Sequence, residues 1–143
     1  MHVLRSILVL ASAASLFVAC GGDSPTGGTE GNREILANPA FGANIQEIFD
    51  RRGCAASGCH VSGGFGPMTL TSGSSYGNLV NVVSAGEPPI IRVVPNDADN
   101  SYLVIKVSGT QTFGGRMPLG LGALDNIDMT NIRNWINNGA PNN

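Results

Sequence analysis

Two thiols and an imidazole fall within seven residues in "RRGCAASGCHVSGG", Arg51–Gly64, with the spacing C-x4-C-H. Three kinds of chemistry compete for Cys54, Cys59 and His60. A structural zinc takes four ligands as a rule, more than these three residues supply, and the adjacent Cys59 and His60 would have to share one tetrahedral ion. Spacing marks out no carboxylate as the missing ligand, so zinc is the weakest reading. A Cys54–Cys59 disulfide accounts for both cysteines in an oxidising compartment, but leaves His60 and the surrounding glycines without a task. Covalent haem uses all three residues. Two thiols add across vinyl groups, and an imidazole directly after the second thiol reaches the iron. Such attachment ordinarily uses C-x-x-C-H; here the intervening Ala55, Ala56, Ser57 and Gly58 are small enough to bulge outward. Haem and a plain disulfide both remain open on these residues alone.

The amino-terminal stretch "MHVLRSILVLASAASLFVAC" bears on the choice. One Arg5 precedes an apolar run from Ser6 to Ala19, shorter than the ~20 residues of a membrane-spanning helix and shaped like an export signal. Phe17-Val18-Ala19-Cys20 resembles the lipobox of bacterial lipoproteins, with Phe17 where leucine is usual. That resemblance implies cleavage before Cys20, acylation of Cys20, and a lipid that holds the exported chain at a membrane, on its periplasmic or cell-surface side. Cleavage at a nearby alanine is the alternative, and it too exports the chain. The expected organisation is a signal peptide over 1–19, the lipidated cysteine with a Gly/Ser/Thr-rich disordered tether over 20–36, and one folded domain over 37–143. Processing removes His2 and commits Cys20, so Cys54, Cys59 and His60 become the only free thiols and imidazole.

The processed chain carries seven Lys and Arg against ten Asp and Glu, a net charge of −3. No basic stripe exists to neutralise phosphates, which excludes a nucleic-acid binder. The elements that must position the three residues read as helices joined by long Gly/Pro-rich loops. "NPAFGANIQEIFDRRG" gives a first helix, with Asn38 or Asn44 as its cap, Ile45, Ile48 and Phe49 on one face, a Glu47–Arg51 pair, and Gly53 as its end. The cysteine motif begins where this helix stops. "YGNLVNVVS" reads as a short helix from Tyr76, "PPIIRVVP" as an extended run, and "SYLVIKVSG" as a brief helix capped by Asp97 or Asp99. The last helix is the clearest: Asp125 as N-cap, Ile132, Trp135 and Ile136 as an apolar stripe extended by Met129, and Gly139 and Pro141 as stops. The fold class is all-α, and its few apolar helical positions leave a small core that would gain from a large apolar body at its centre.

If haem is bound, no second histidine remains to complete the iron's coordination, and methionine is the usual alternative. Met129 reads as core packing. Met68 follows "GGFGP" close to the attachment site, with little chain to cross the ring. Met117 in "FGGRMPLG" lies far enough along the chain to reach the opposite face, so Met117 is the preferred distal ligand and Met68 the alternative.

A helix ending in "IFDRRGC", the C-H attachment site, the late "GGRMPLG" loop and a terminal "IRNWINNGAP" helix together resemble a class I cytochrome c domain over residues 37–143. The likeness is closest to exported bacterial domains with "SYLVIKVSGT" before the methionine loop, some of which also use C-x4-C-H. It implies a small fold whose first and last helices pack around one covalent haem c held by Cys54 and Cys59, with His60 as proximal and Met117 as distal iron ligand. Phe49 and Trp135 would meet where those helices cross. Arg92, costly to bury without a partner, would face either a haem propionate or an aspartate such as Asp97 or Asp99; Tyr102 is a second candidate for a propionate or a half-buried helix tyrosine. The implied function is single-electron transfer between redox protein partners, without substrate catalysis. Two alternatives stand beside it. One is a haem enzyme or gas or peroxide sensor with an open sixth position; the other is a haem-free binding or structural lipoprotein with a Cys54–Cys59 disulfide.

Overall fold

A computed structural model describes residues 33–143. The expected signal peptide, the lipidation proposed for Cys20 and most of the expected tether lie outside the described residues. Regular structure is helical, and three isolated bridge pairs are the only β-type pairing among the described residues. A π-helical turn, Phe41–Ile45, runs on into α1, Gln46–Arg51; α2 is Ser75–Leu79, α3 is Tyr102–Ser108 and α4 is Asn126–Asn137. No described helix is long and apolar enough to cross a membrane.

Neither expected cap starts the first helix. It begins at Phe41 because Asn38 is engaged elsewhere: its Oδ1 accepts from Asn138 Nδ2 at 3.1 Å. The Asn44 Oδ1 instead folds back to accept from Ala40 N–H at 2.8 Å, and Ile45 N–H donates to Ala40 O at 3.3 Å, which gives the wider π turn. The Glu47–Arg51 pair forms at 2.7 Å. Gly53, with φ +69°, ends the helix in the left-handed region that glycine tolerates.

α2 is shorter than its apolar spacing suggests, ending at Leu79. Val80 and Val83 leave the helix to pair with Val93 and Ile91 of the extended proline-bounded run, where β-branched side chains fit better than in a helix. That run also starts α3. Tyr102 and Leu103 N–H donate to Ile91 O and Arg92 O, each at 2.9 Å. The first amides of α3 therefore need no aspartate cap, and Asp97 accepts from Asn100 while Asp99 pairs with Arg133. α4 follows its sequence signals: the Asp125 carboxylate accepts from Asp128 N–H at 3.0 Å, and Gly139 at φ +90° follows its end.

The core lies where the first helix meets α4. Ile45, Ile132, Trp135 and Ile136 are fully buried. Trp135 packs against Phe41, with ring centroids 5.1 Å apart, so the aromatic that pairs with it is Phe41 rather than the expected Phe49. Phe49 is buried too, but it faces the cavity described below. Arg51 closes the same junction with a 2.6 Å ion pair to the buried Asp128. The fold also takes in residues assigned to the tether. Arg33 bonds Asp125 and Asp128, while Asn131 and Asn134 of α4 hold the backbone of Glu34 and Leu36.

Candidate functional site

The segment after α1 closes on itself through backbone hydrogen bonds. Cys54 N–H donates to Phe49 O at 2.8 Å, which fixes the first cysteine to the helix end. Cys59 N–H donates to Ala56 O and His60 N–H donates to Cys54 O, both at 3.0 Å. The four small residues between the cysteines are thus looped out, and the C-H pair returns beside Cys54. The thiols are not bonded to each other; Cys54 is half-buried and Cys59 exposed. Burial pushes the Cys54 thiol up to about 11.

His60 is buried, at 9% exposure. Its Nδ1 lies 3.3 Å from Met68 O. With Nδ1–H donating to that carbonyl, Nε2 keeps its lone pair, the form in which imidazole binds a metal. Burial lowers the His60 pKa; the Met68 carbonyl works against this, and the charges of Arg92 and Lys106 add to it. Two glycines set this geometry and were not singled out in the sequence. A Cβ on Gly64 would fall 2.2 Å from Cys59 O, and one on Gly66 would fall 2.2 Å from His60 Nδ1. The glycine-rich "SGGFGP" signalled a loop but not which atoms it must clear.

Cys54, Cys59 and His60 line one wall of a cavity of about 500 Å³, within the ~300–1,000 Å³ usual for small-molecule and cofactor sites. Met117 and Met68 line it as well, so the structure brings together every residue the sequence nominated for iron. The lining is overwhelmingly apolar, with Phe49, Leu79 and Ile132 at its base. Phe65, Phe113, Leu119 and Leu121 also border it while more than half exposed, Phe65 at 97%. Large apolar side chains left in water around an apolar cavity mark a surface built to be covered.

The two methionines reach the cavity differently. Met68 belongs to the His60 segment and is tied to the imidazole through its own carbonyl. Met117 arrives from the α3 side, its N–H donating to Lys106 O at 2.9 Å. Met129 packs on the core, as its place on α4 suggested.

The charged and polar side chains that line the cavity include Arg92, Tyr102 and Lys106. Arg92 is 8% exposed and donates from Nη1 to Asn78 O at 2.7 Å. Neither Asp97 nor Asp99 pairs with it, because Asn100 and Arg133 occupy those carboxylates. Among the described residues Arg92 has no ion-pair partner, and desolvation lowers its pKa. A buried, unpaired guanidinium is costly, so an anionic group of a ligand in the cavity would find a partner there. Tyr102 lines the same cavity and is buried; burial pushes its hydroxyl pKa up and Glu87 adds to the rise.

Among the described residues, no three His, Cys, Asp or Glu side chains cluster as a metal site. No protein-family model, curated protein or solved structure matches this chain.

Proposed function

We propose that the protein is an exported, lipid-anchored monohaem c-type cytochrome that carries single electrons between redox partners. The observation that carries this reading is the convergence of both cysteine thiols, the His60 imidazole and the Met117 thioether on one apolar cavity. A disulfide needs no such cavity, and zinc would want a fourth protein ligand that Cys54, Cys59 and His60 do not supply. Arg92 supports the reading independently, since a ligand that is apolar in body and carboxylated at one end matches the cavity's two kinds of wall.

The residues divide the work. Cys54 and Cys59 supply the two thioether sulfurs. His60, oriented by Met68 O, offers Nε2 as proximal ligand. Met117 is the distal ligand: it comes from the α3 wall, whereas Met68 is held beside His60. Arg92 and Tyr102 bind the carboxylate end. The cofactor supplies a one-electron ferric/ferrous couple, whose potential a methionine ligand and burial raise. The apolar walls keep water from the centre, and the exposed Phe65 and Phe113 place its open side where a partner can approach.

The test is the full chain expressed with a c-type maturation system. Wild type should give a low-spin spectrum in both oxidation states. Met117→Ala should lose the ferric sulfur-to-iron absorption and bind imidazole tightly, while Met68→Ala keeps the wild-type spectrum. An unchanged Met117→Ala spectrum would remove Met117 as ligand and favour an open-site protein; a haem-free chain with a Cys54–Cys59 bridge would overturn the reading altogether.

A further inference from the structure

We propose that Lys106 is the positioning residue of the distal ligand, latching the 111–117 loop so that Met117 stays on the cavity wall. The inference rests on Met117 as ligand but uses contacts that the ligand assignment does not require. α3 is short, and Lys106 lies in its last turn. Its ammonium donates to Phe113 O at 3.3 Å and to Gly115 O at 2.7 Å, and its backbone oxygen accepts from Met117 N–H at 2.9 Å. One residue thus grips the loop at three points, on both sides of Gly114.

Outside that grip, Met117 packs on the core and the Arg116 stem lies against Gly109, while the bend between Lys106's two carbonyl partners is loose. Phe113 through Arg116 are exposed, and Gly114 takes φ +73° and is followed by Gly115, so the backbone is intrinsically free. Gln111 bonds Gly114 O within the loop, and Thr112 is fixed to Glu87 at the far end. The stem that carries Met117 is anchored by Lys106. A methionine is a weak ligand on a flexible side chain, so its competitiveness depends on how long the backbone keeps it in place. Holding a ligand near its working position is worth orders of magnitude in effective concentration. The lysine charge suits the task, because charged donors make stronger bonds to carbonyls than neutral ones.

The test uses Lys106→Leu, which keeps an apolar side chain, removes the donors and adds no second thioether to the cavity, with Lys106→Arg as the conservative variant. Hydrogen exchange on the haem-free full chain reads the latch itself. The Met117 amide, which donates to Lys106 O, should exchange at least tenfold faster in Lys106→Leu and near the wild-type rate in Lys106→Arg, with α4 amides unchanged as proof of an intact fold. Imidazole titration of the ferric haem-loaded protein reads the consequence. Lys106→Leu should bind imidazole at least tenfold more tightly and show a weakened sulfur-to-iron band. Unchanged exchange at the Met117 amide overturns the latch. Faster exchange with unchanged imidazole affinity and band overturns the positioning role. The ligand assignment is judged separately by Met117→Ala, whose spectrum does not depend on Lys106.

Discussion

Replacing Gly66 with alanine should damage the site severely. An added Cβ would lie 2.2 Å from His60 Nδ1, 2.6 Å from Cε1 and 2.9 Å from Cγ. Ordinary contact begins near 3.4 Å, so ring and backbone must part by about 1.2 Å, the difference between the two. The obstruction is the ring of a buried histidine, not the end of a mobile chain, so overpacking costs about 1–3 kcal/mol. Moving the ring also breaks the bond to Met68 O, worth about 1 kcal/mol. The sum, about 2–4 kcal/mol, lowers the midpoint of thermal unfolding of a domain this size by roughly 10–20 °C. The same displacement takes the imidazole from its place beside the cysteines, so covalent haem yield should fall at least tenfold. Gly77→Ala is the control: nothing lies within 4 Å of its added Cβ in α2, and it should be neutral or slightly stabilising. The assay is thermal unfolding of the haem-free chain together with haem recovered in the matured one. A Gly66→Ala protein with wild-type stability and haem content would refute the steric argument.

Three further outcomes follow from the geometry. Arg92→Met should leave the haem-free chain equally or more stable by ~1 kcal/mol in chemical denaturation, because it removes a desolvated unpaired charge. In the loaded protein it should loosen the cofactor and lower the potential, so unchanged values there would contradict an anion beside Arg92. Alkylation of the reduced haem-free chain at pH 8 should label the exposed Cys59 at least tenfold faster than Cys54, whose thiol is pushed up to about 11, and the gap should narrow as pH approaches that value. Equal rates at pH 8 would mean that Cys54 is not buried as described. Asp125→Ala should cost about 1 kcal/mol through the lost cap of α4. Burial raises the Asp125 pKa, but bonds from Asp128 N–H and Arg33 outweigh it and hold the carboxyl below its ordinary value. A depressed pKa gives stability that is present above the unfolded value of about 3.9 and lost as pH falls through the folded one. The gap between wild type and Asp125→Ala should therefore shrink below about pH 4, and a gap constant down to pH 2 would contradict it.

What could be read from the sequence was what local chemistry decides. Asp125, the Ile132–Trp135–Ile136 stripe and Gly139 specify α4 without outside help, and α4 forms as they indicate. Val80 and Val83 fit helical spacing equally well, so α2 reads longer in sequence than it is; their pairing with Val93 and Ile91 depends on a run that lies beyond the intervening turn. The expected caps of the first helix and of α3 failed for the same reason, since Asn138 takes Asn38 and the extended run satisfies α3. At the site, residue type and spacing nominated Cys54, Cys59 and His60, and position along the chain favoured Met117 over Met68; all five border one cavity. The roles of Gly66 and Lys106 were not legible, because each is defined by an atom it must avoid or reach after the loops have folded.

The most direct test of the account is the mass of the tryptic peptide Gly53–Arg92 from protein made in an exporting host with c-type maturation. The account predicts a peptide heavier by one haem, with both Cys54 and Cys59 resistant to alkylation and each single cysteine variant retaining one attachment. A peptide without haem, two hydrogens lighter than its reduced form through a Cys54–Cys59 disulfide, would contradict it.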